Sequence, residues 1–408
     1  MIIRKWMKQH NDVMKKNAFT RNLLTPALLL LGIYICAGCR DVSKVELIED
    51  IDIYVNTIDQ VHAEPYRLIS RENFIGKAQE LKQKIRALEN ARISVPQCAL
   101  YLMELCALIQ DGHTRIDFPF DQLTGTESAF PLKLKIINGN VYVLDNLGNE
   151  ALPNFCSILE INGVPVEALL EKSSKLYNTS LDHAKRLMFE ESFPLLLANY
   201  LDIHPPWAVK YEISSQVQVS ELQEMTSEAY FKQRSQQSNR YRRYSIAVND
   251  VEVPVLDLPG FSYGEAQDWE SFIDTFFQIH KSSRYLVIDL RQNRGGSGYW
   301  GFYLLDYLTE SAYRIAKKFV FKASKMGVLV GRETSGRVRF GSDPVTMSLP
   351  NSKLKGSIPV AIYQLPGNNP DRGVMPDVKV FRSIDDFHSG GDKEMETVQE
   401  LIRKDMGR

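Results

Sequence analysis

The sequence predicts a mixed α/β protein laid out in zones, with helices first, a strand-rich stretch next and an alternating α/β region last. Three observations carry this. Residues 40–110 repeat apolar side chains at helical spacing, residues 130–166 alternate apolar and polar positions around turn signals, and from Val253 strand-like runs alternate with amphipathic helices. The composition fits a globular chain: 408 residues, 44% apolar, 24% charged and 10% aromatic. It excludes a largely disordered chain, a collagen-like chain and a multi-span membrane protein. With 49 basic and 50 acidic residues the formal net charge is −1, so no global basic field recruits nucleic acid.

The charge is uneven, however. Residues 1–38 hold six basic residues (Arg4, Lys5, Lys8, Lys15, Lys16, Arg21) and one acid, Asp12, which leaves 43 basic and 49 acidic residues in the rest. Leu23 to Cys36 is an apolar run of 14, interrupted by Thr25, Pro26 and Gly32. A membrane-spanning helix needs ~20 apolar residues, whereas the h-region of a secretory signal needs ~7–15. Ala37 and Gly38 then precede Cys39. That arrangement resembles the lipobox of bacterial lipoproteins, with Cys36 where that family usually has Leu. The resemblance implies a signal peptide over 1–38, lipidation of Cys39 and an exported chain anchored to the cell envelope. A plain cleaved signal is the alternative, and Met14 makes a neater start than Met1.

The helical zone contains three segments, Val42–Gln60, Arg71–Glu89 and Pro96–Gln110, the last with Leu100, Leu102, Leu105, Leu108 and Ile109 on a broad apolar stripe. Cys98, Cys106 and Cys156 form no CxxC pair and have no histidine at ligand spacing, so they read as buried thiols and no metal is expected. In the strand-rich zone, Leu132–Ile137 and Val141–Leu144 flank Asn138-Gly139, a strong hairpin signal. Ser157–Val166 continues the strand-rich stretch, and Glu167–Tyr177 reads as a helix. Residues 178–250 are mixed, with Arg240, Arg242 and Arg243 in what reads as a solvated basic loop. In the last zone, Val253–Leu258 reads as a strand, Gly264–His280 as a helix, and Tyr285–Leu290 as a strand buried on both faces. Tyr299–Leu308 follows as a helix. Gly327–Val330, Val345–Leu349 and Ile358–Tyr363 read as strands, and Glu394–Lys404 as a closing helix.

Two constellations can carry chemistry. Asp111-Gly-His-Thr114 ends an apolar helix, with Gly112 expected to allow the exit, and holds His113 beside a carboxylate where it can act as a general base near neutral pH. Read alone, a lone histidine is more often structural. Asn293-Arg-Gly-Gly-Ser-Gly298 lies between a strand and a helix, where its backbone N–H groups can form an oxyanion hole or bind phosphate. It is neither a Walker loop nor a GxGxxG dinucleotide loop.

In this order the pieces resemble the tail-specific, or C-terminal processing, serine peptidases, and within them the tricorn-like branch. The matching segments are Asp111–Thr114, Tyr285–Arg291 with Gly295-Gly296, Gly331-Arg-Glu-Thr-Ser-Gly336, Leu349-Pro-Asn-Ser352 and Gly373-Val-Met-Pro-Asp-Val378. Glu160-Ile-Asn-Gly-Val164 resembles the PDZ-like part of such proteins. The resemblance spans residues from about 45 to 385. It implies an N-terminal helical region over 39–118, a PDZ-like region with an extension over 119–250, a peptidase core of ClpP/crotonase type over 251–385, and a C-terminal helix over 386–408. The implied chemistry is hydrolysis of polypeptides without metal or organic cofactor, with His113 as base and Gly295 and Gly296 as the oxyanion loop. Some members use a lysine where this chain has Arg337, and a guanidinium stays protonated and cannot serve as that base.

The nucleophile departs from the pattern. In the family a further apolar strand and a serine-led helix stand between the Gly-Gly loop and the Gly331 element. Here only Thr309–Met326 remain, with Tyr313–Lys322 resembling the piece after the helix and Met326-Gly327 the piece before the later strand. The core therefore reads as shortened near 309–327, with the nucleophile segment removed and this copy inactive as a hydrolase. Ser311, 26 residues before Arg337, is the remaining candidate, but no apolar strand precedes it. Ser324 leaves no room for a packing helix, and Ser297 reads as a turn residue. The alternatives are a non-catalytic peptide-binding envelope lipoprotein, using strand addition to a sheet edge, and an active peptidase using Ser311 with His113.

Overall fold

The computed structural model describes residues 41–119, 127–234, 241–261, 266–308, 327–364 and 371–407. The chain divides into two units, Met1–Gly38 and Cys39–Arg408, and all described residues belong to the second. The expectations for the signal segment, Cys39, Ser311, Ser324 and the junction at 309–326 lie outside the described residues.

The described residues begin with three helices: α1 (Lys44–Val61), α2 (Arg71–Ala87) and α3 (Val95–Cys106). Each begins where a serine side chain accepts a backbone N–H of the first turn: Ser43 from Glu46, in a full capping box, Ser70 from Asn73, and Ser94 from Gln97. Helically spaced side chains meet in one core: Leu47, Ile51, Tyr54 and Ile58 of α1, Phe74, Ala78, Leu81 and Ile85 of α2, and Cys98, Leu102 and Leu105 of α3. Leu349, Leu354 and Ile358, from far along the chain, complete it. Cys98, Cys106 and Cys156 are buried free thiols, and burial pushes each up to about 12, which leaves them unreactive at neutral pH.

After α3 and the short β1 (Arg115–Ile116) comes the strand-rich zone. β2 (Lys133–Ile137) and β3 (Asn140–Asp145) pair antiparallel across Asn138-Gly139, whose φ values of 51° and 92° fit a type I′ turn. β4 (Ser157–Ile161) follows, then α4 (Val166–Ser174), α5 (Asp182–Asn199), β5 (Trp207–Ile213) and β6 (Gln216–Leu222). The strands run in the order β6-β5-β4-β3-β2, and Phe189 and Phe193 of α5 pack with Val141, Ile158, Trp207 and Val209 of the sheet. Residues 178–250, read above as mixed, thus hold a long helix and a hairpin. The helix carries an internal Pro194, and the hairpin turns on Ser214-Ser215 at φ 50° and 62°, a turn without the usual glycine.

In the last zone, β7 (Arg242–Val248) pairs antiparallel with β8 (Val251–Asp257). Arg242 and Arg243 are therefore strand residues and not part of a loop. Arg242 donates to Asp257 at 2.8 and 2.5 Å, and Arg243 lies 4.6 Å over the Phe272 ring. A crossover through α6 (Ala266–Ile279) brings β9 (Val287–Asp289) parallel to β8, with Val255 opposite Val287, and α7 (Gly298–Leu308) follows. The expected buried strand 285–290 is shorter and only half-buried, with Leu290 45% exposed. Both its faces have cover, Ile288 packing against the cluster of Trp269 and Trp300 and Val287 against that of Ile402. Its far edge, however, has no strand partner among the described residues.

The next strands, β10 (Val330–Gly331), β11 (Arg339–Ser348), β12 (Lys355–Gln364) and β13 (Val378–Lys379), form other sheets: β11-β12-β1 and a parallel pair β10-β13. The closing helix α8 (Lys393–Met406) lays Val398, Ile402 and Met406 against Val248 and Val253. No helix among the described residues is long and apolar enough to cross a membrane.

Candidate active site

The Asp111–Thr114 turn is built around one buried carboxylate. The 3₁₀ turn after α3 ends at Gln110, which takes the left-handed conformation at φ 55°. The exit from the helix therefore falls on Gln110 and not, as expected, on Gly112, whose φ is not positive and around which a Cβ would meet nothing within 4 Å. Asp111 is 7% exposed. Its Oδ1 accepts the His113 N–H at 3.2 Å and the Gly341 N–H at 3.4 Å, and its Oδ2 accepts the Thr114 hydroxyl at 3.2 Å. The Glu64 N–H donates to Nδ1 of His62, which assigns the ring proton to Nε2. That nitrogen lies 2.8 Å from Thr114 Oγ1 and 3.5 Å from Asp111 Oδ2. Burial pushes the Asp111 carboxyl up, but hydrogen bonding from His62 and from the His113 N–H outweighs it and holds the group below its ordinary value.

Asn178 holds the same turn from outside. Its Oδ1 accepts the Asp111 N–H at 2.9 Å, and its Nδ2 donates to the carbonyls of Asp111 and Thr114. The Ser357 hydroxyl donates to the His113 carbonyl at 2.8 Å. The His113 backbone is thus fixed on both sides while its imidazole is 46% exposed, 3.9 Å from Asp111 Oδ1 and 5.7 Å from the Phe340 ring. An accessible imidazole on a fixed backbone suits a group that must take and return a proton.

The glycine loop is set by β8 and its extension. The Phe261 N–H donates to the Gly295 carbonyl at 2.7 Å, and the Ser297 N–H to the Phe261 carbonyl at 2.6 Å. Gly296 between them has φ 129°, and a Cβ there would lie 2.0 Å from the Phe261 carbonyl oxygen, so only glycine fits. Asn293 spans the loop, donating to the Leu258 carbonyl and accepting the Gly295 N–H, each at 2.9 Å. The Gly295 amide is thereby engaged, whereas the Gly296 amide makes no hydrogen bond among the described residues. Ser297 accepts the Tyr299 N–H at 3.3 Å and serves the start of α7.

The Gly331–Gly336 and Gly373–Val378 segments are zipped together. Glu333 accepts from Arg372 at 2.9 and 2.5 Å and from the Gly373 N–H at 2.8 Å. The Arg372 guanidinium holds the Glu333 carboxyl below the usual range, against the opposing push of burial. A Cβ on Gly373 would lie 2.0 Å from the Thr334 carbonyl oxygen, which explains that glycine. One face of α5 reaches both loops: His183 lies 3.0 Å from the Thr334 carbonyl, and Glu191 pairs with Arg294 at 2.8 Å. No hydrogen bond or ion pair among the described residues joins His113 directly to Gly295 or Gly296. His62 and Asn178 carry no sequence signal of their own as site residues and are placed by folding; Glu333 stands within the Gly331–Gly336 segment that the sequence marks, with no role assigned to it there. No group of side chains that could hold a metal ion occurs among the described residues.

No protein-family profile and no curated protein matches this sequence. Solved structures do match. The chain is similar to mature CPAF complexed with lactacystin, at a TM-score of 0.63 and 14% identity, over 88% of this chain and 98% of that one. It is similar to mature CPAF at a TM-score of 0.62 and 13% identity, over 88% and 97%. A weaker overlap, at a TM-score of 0.41 and 12% identity, is with the tricorn protease, over 90% of this chain and 37% of that one. As a set the neighbours are consistent with the tail-specific peptidase family; at these identities they show the fold alone.

Proposed function

We propose that this chain is a polypeptide-binding protein of the tail-specific peptidase class, exported and anchored through Cys39. In this reading its hydrolytic site keeps a base and an oxyanion donor but lacks the unit that presents a nucleophile. The observation that carries it is the short run of sequence between the glycine loop and Gly331. β9 pairs with β8 on one side and with no strand among the described residues on the other, and β10 belongs to a different ladder. The resembled family has a strand and a serine-led helix at that place, and residues 309–326 are all this chain has for them.

In the ancestral reaction, His113 would take the proton of an attacking serine hydroxyl and return it to the leaving amine. The Gly296 N–H, left without an acceptor while Gly295 serves Asn293, would stabilise the oxyanion. A guanidinium cannot serve as the base, so Arg337 stays outside this transfer. Without the hydroxyl, the protein holds a polypeptide and does not cut it. A fluorophosphonate probe on the full chain tests this, alongside anisotropy of fluorescein-labelled peptides. The expected result is binding without labelling. Labelling that disappears in Ser311→Ala would establish an active peptidase instead.

A further inference from the structure

We propose that a second copy of this chain pairs with the open edge of β6, about a two-fold axis at Gln218, so that the two strand-rich sheets become one continuous sheet. The inference stands independently of the peptide-binding reading.

β6 is the outer strand of the order β6-β5-β4-β3-β2, and no strand among the described residues pairs with its other edge. Protein edges are usually blunted by lysine, proline or a bulge, because an open one recruits another strand. β6 lacks all three. Gln216-Val-Gln-Val-Ser220 carries no charge and no proline, and its register with β5 runs without a shift from Gln216 opposite Ile213 to Leu222 opposite Trp207. Its valines invite contact: Val217 is 56% exposed and Val219 65%.

The Ser214-Ser215 turn fixes which backbone groups are free. A two-residue turn closes on a pair that exchanges both hydrogen bonds, here Ile213 with Gln216, and bonded and non-bonded pairs then alternate along the ladder. Gln216, Gln218 and Ser220 therefore direct their N–H and C=O groups to β5, and Val217 and Val219 direct theirs outward. Two outward residues flanking one inward residue match a copy of themselves turned by 180°. With the axis at Gln218, Val217 faces Val219 of the second copy, and Val219 faces its Val217. Each pair exchanges two main-chain hydrogen bonds, and four valines meet on one face of the joined sheet.

Charge fits the same register. On that face Glu212 of β5 stands beside Val217, and Lys210, which pairs with Glu160, stands beside Val219. A row across the joint reads Glu212, Val217, Val219, Lys210, so opposite signs end it. An axis one residue on, at Val219, would bring Glu221 of the second copy against Val217, two strands from Glu212, and set like charges on one row. The axis at Gln218 avoids that conflict, and the self-matching pattern selects a second copy over an unrelated strand.

Disulfide cross-linking of the full chain in mild detergent tests this. A residue on the axis meets its own copy as a non-bonded pair, with Cα atoms ~4.5 Å apart, inside the ~4.4–6.8 Å range of a disulfide. Cys98, Cys106 and Cys156 are buried and do not compete. Gln218→Cys should give at least tenfold more reducible dimer than Gln216→Cys or Ser220→Cys, whose copies stand ~14 Å apart along the joint. On the Gln218→Cys background, Val217→Lys with Val219→Lys sets like charges opposite each other and should cut the dimer at least tenfold. Val217→Lys with Val219→Glu sets opposite charges in both pairs and should restore it, a rescue that no folding defect produces. Sedimentation velocity should find the unaltered chain dimeric and the lysine pair at half that mass. A monomeric unaltered chain, equal cross-linking at the three positions, a dimer indifferent to the lysine pair, or a charge swap that restores nothing overturns the proposal. A monomeric chain whose lysine pair loses labelled-peptide binding also overturns it, and gives this edge to a polypeptide strand instead.

Discussion

Asp111 shows how one residue can organise a site. Its two oxygens hold the N–H groups of His113 and Gly341 and the hydroxyl of Thr114, so the turn carrying His113 and the strand carrying Phe340 are tied to one group. Because the folded carboxyl titrates below its ordinary value of 3.8, its ionised form favours the fold. The stability it gives is fully present above the ordinary carboxylate range and is lost as pH falls through the lower folded value. Asp111→Asn should lower stability by about 1–3 kcal/mol at neutral pH, and the gap should close in strong acid. Urea midpoints from pH 7 to pH 2 check this. The local motif made Asp111 and His113 legible in the sequence. His62 was not legible, because its partner Thr114 lies 52 residues away and no pattern links them. Gln110 was missed because a left-handed exit is expected of glycine, and a glycine stood two residues further on.

Among the elements, apolar periodicity and one turn carried the information. Helically spaced apolar residues announced the three helices, and Asn138-Gly139 announced the first hairpin. The hairpin at Ser214-Ser215 had no such signal, and β9 was over-read because an apolar run implies a neighbour on each side. One bond between elements escaped the sequence altogether. Asp50 of α1 is fully buried, and its two oxygens accept the N–H groups of Asn351 (3.0 Å) and Ser352 (2.8 Å) in the turn between β11 and β12. Asp50→Ala leaves the buried Ser352 amide and the part-buried Asn351 amide without this acceptor and should cost about 2–4 kcal/mol. Glu49→Ala, which removes an exposed contact to the same turn, should cost about 0.5 kcal/mol. Chemical denaturation of the two variants separates the effects.

At the scale of the whole molecule, the order of zones was readable because each zone has its own hydrophobic period. Which strands share a sheet was not, since strands such as β12 and β1 pair across more than two hundred residues of chain and no local pattern records it. The anchoring reading belongs to this scale as well. Cys39→Ser should leave the chain unprocessed or unanchored, as membrane fractionation and mass spectrometry of the N-terminus would show; retention of a processed form on the membrane counts against it. The reach of Asp50 also bears on how the chain acquires its shape. Its partners stand 301 and 302 residues later, and Leu349, Leu354 and Ile358 close the core begun by Leu47 and Ile51. Contacts so distant along the chain form slowly, and during synthesis at ~5–20 residues per second the part of the helical core that Leu349, Leu354 and Ile358 close stays open for roughly 15–60 seconds after α1 and its helical neighbours are made. A core begun by the first described helix is finished only late in synthesis, and through that interval the nascent chain is open to aggregation.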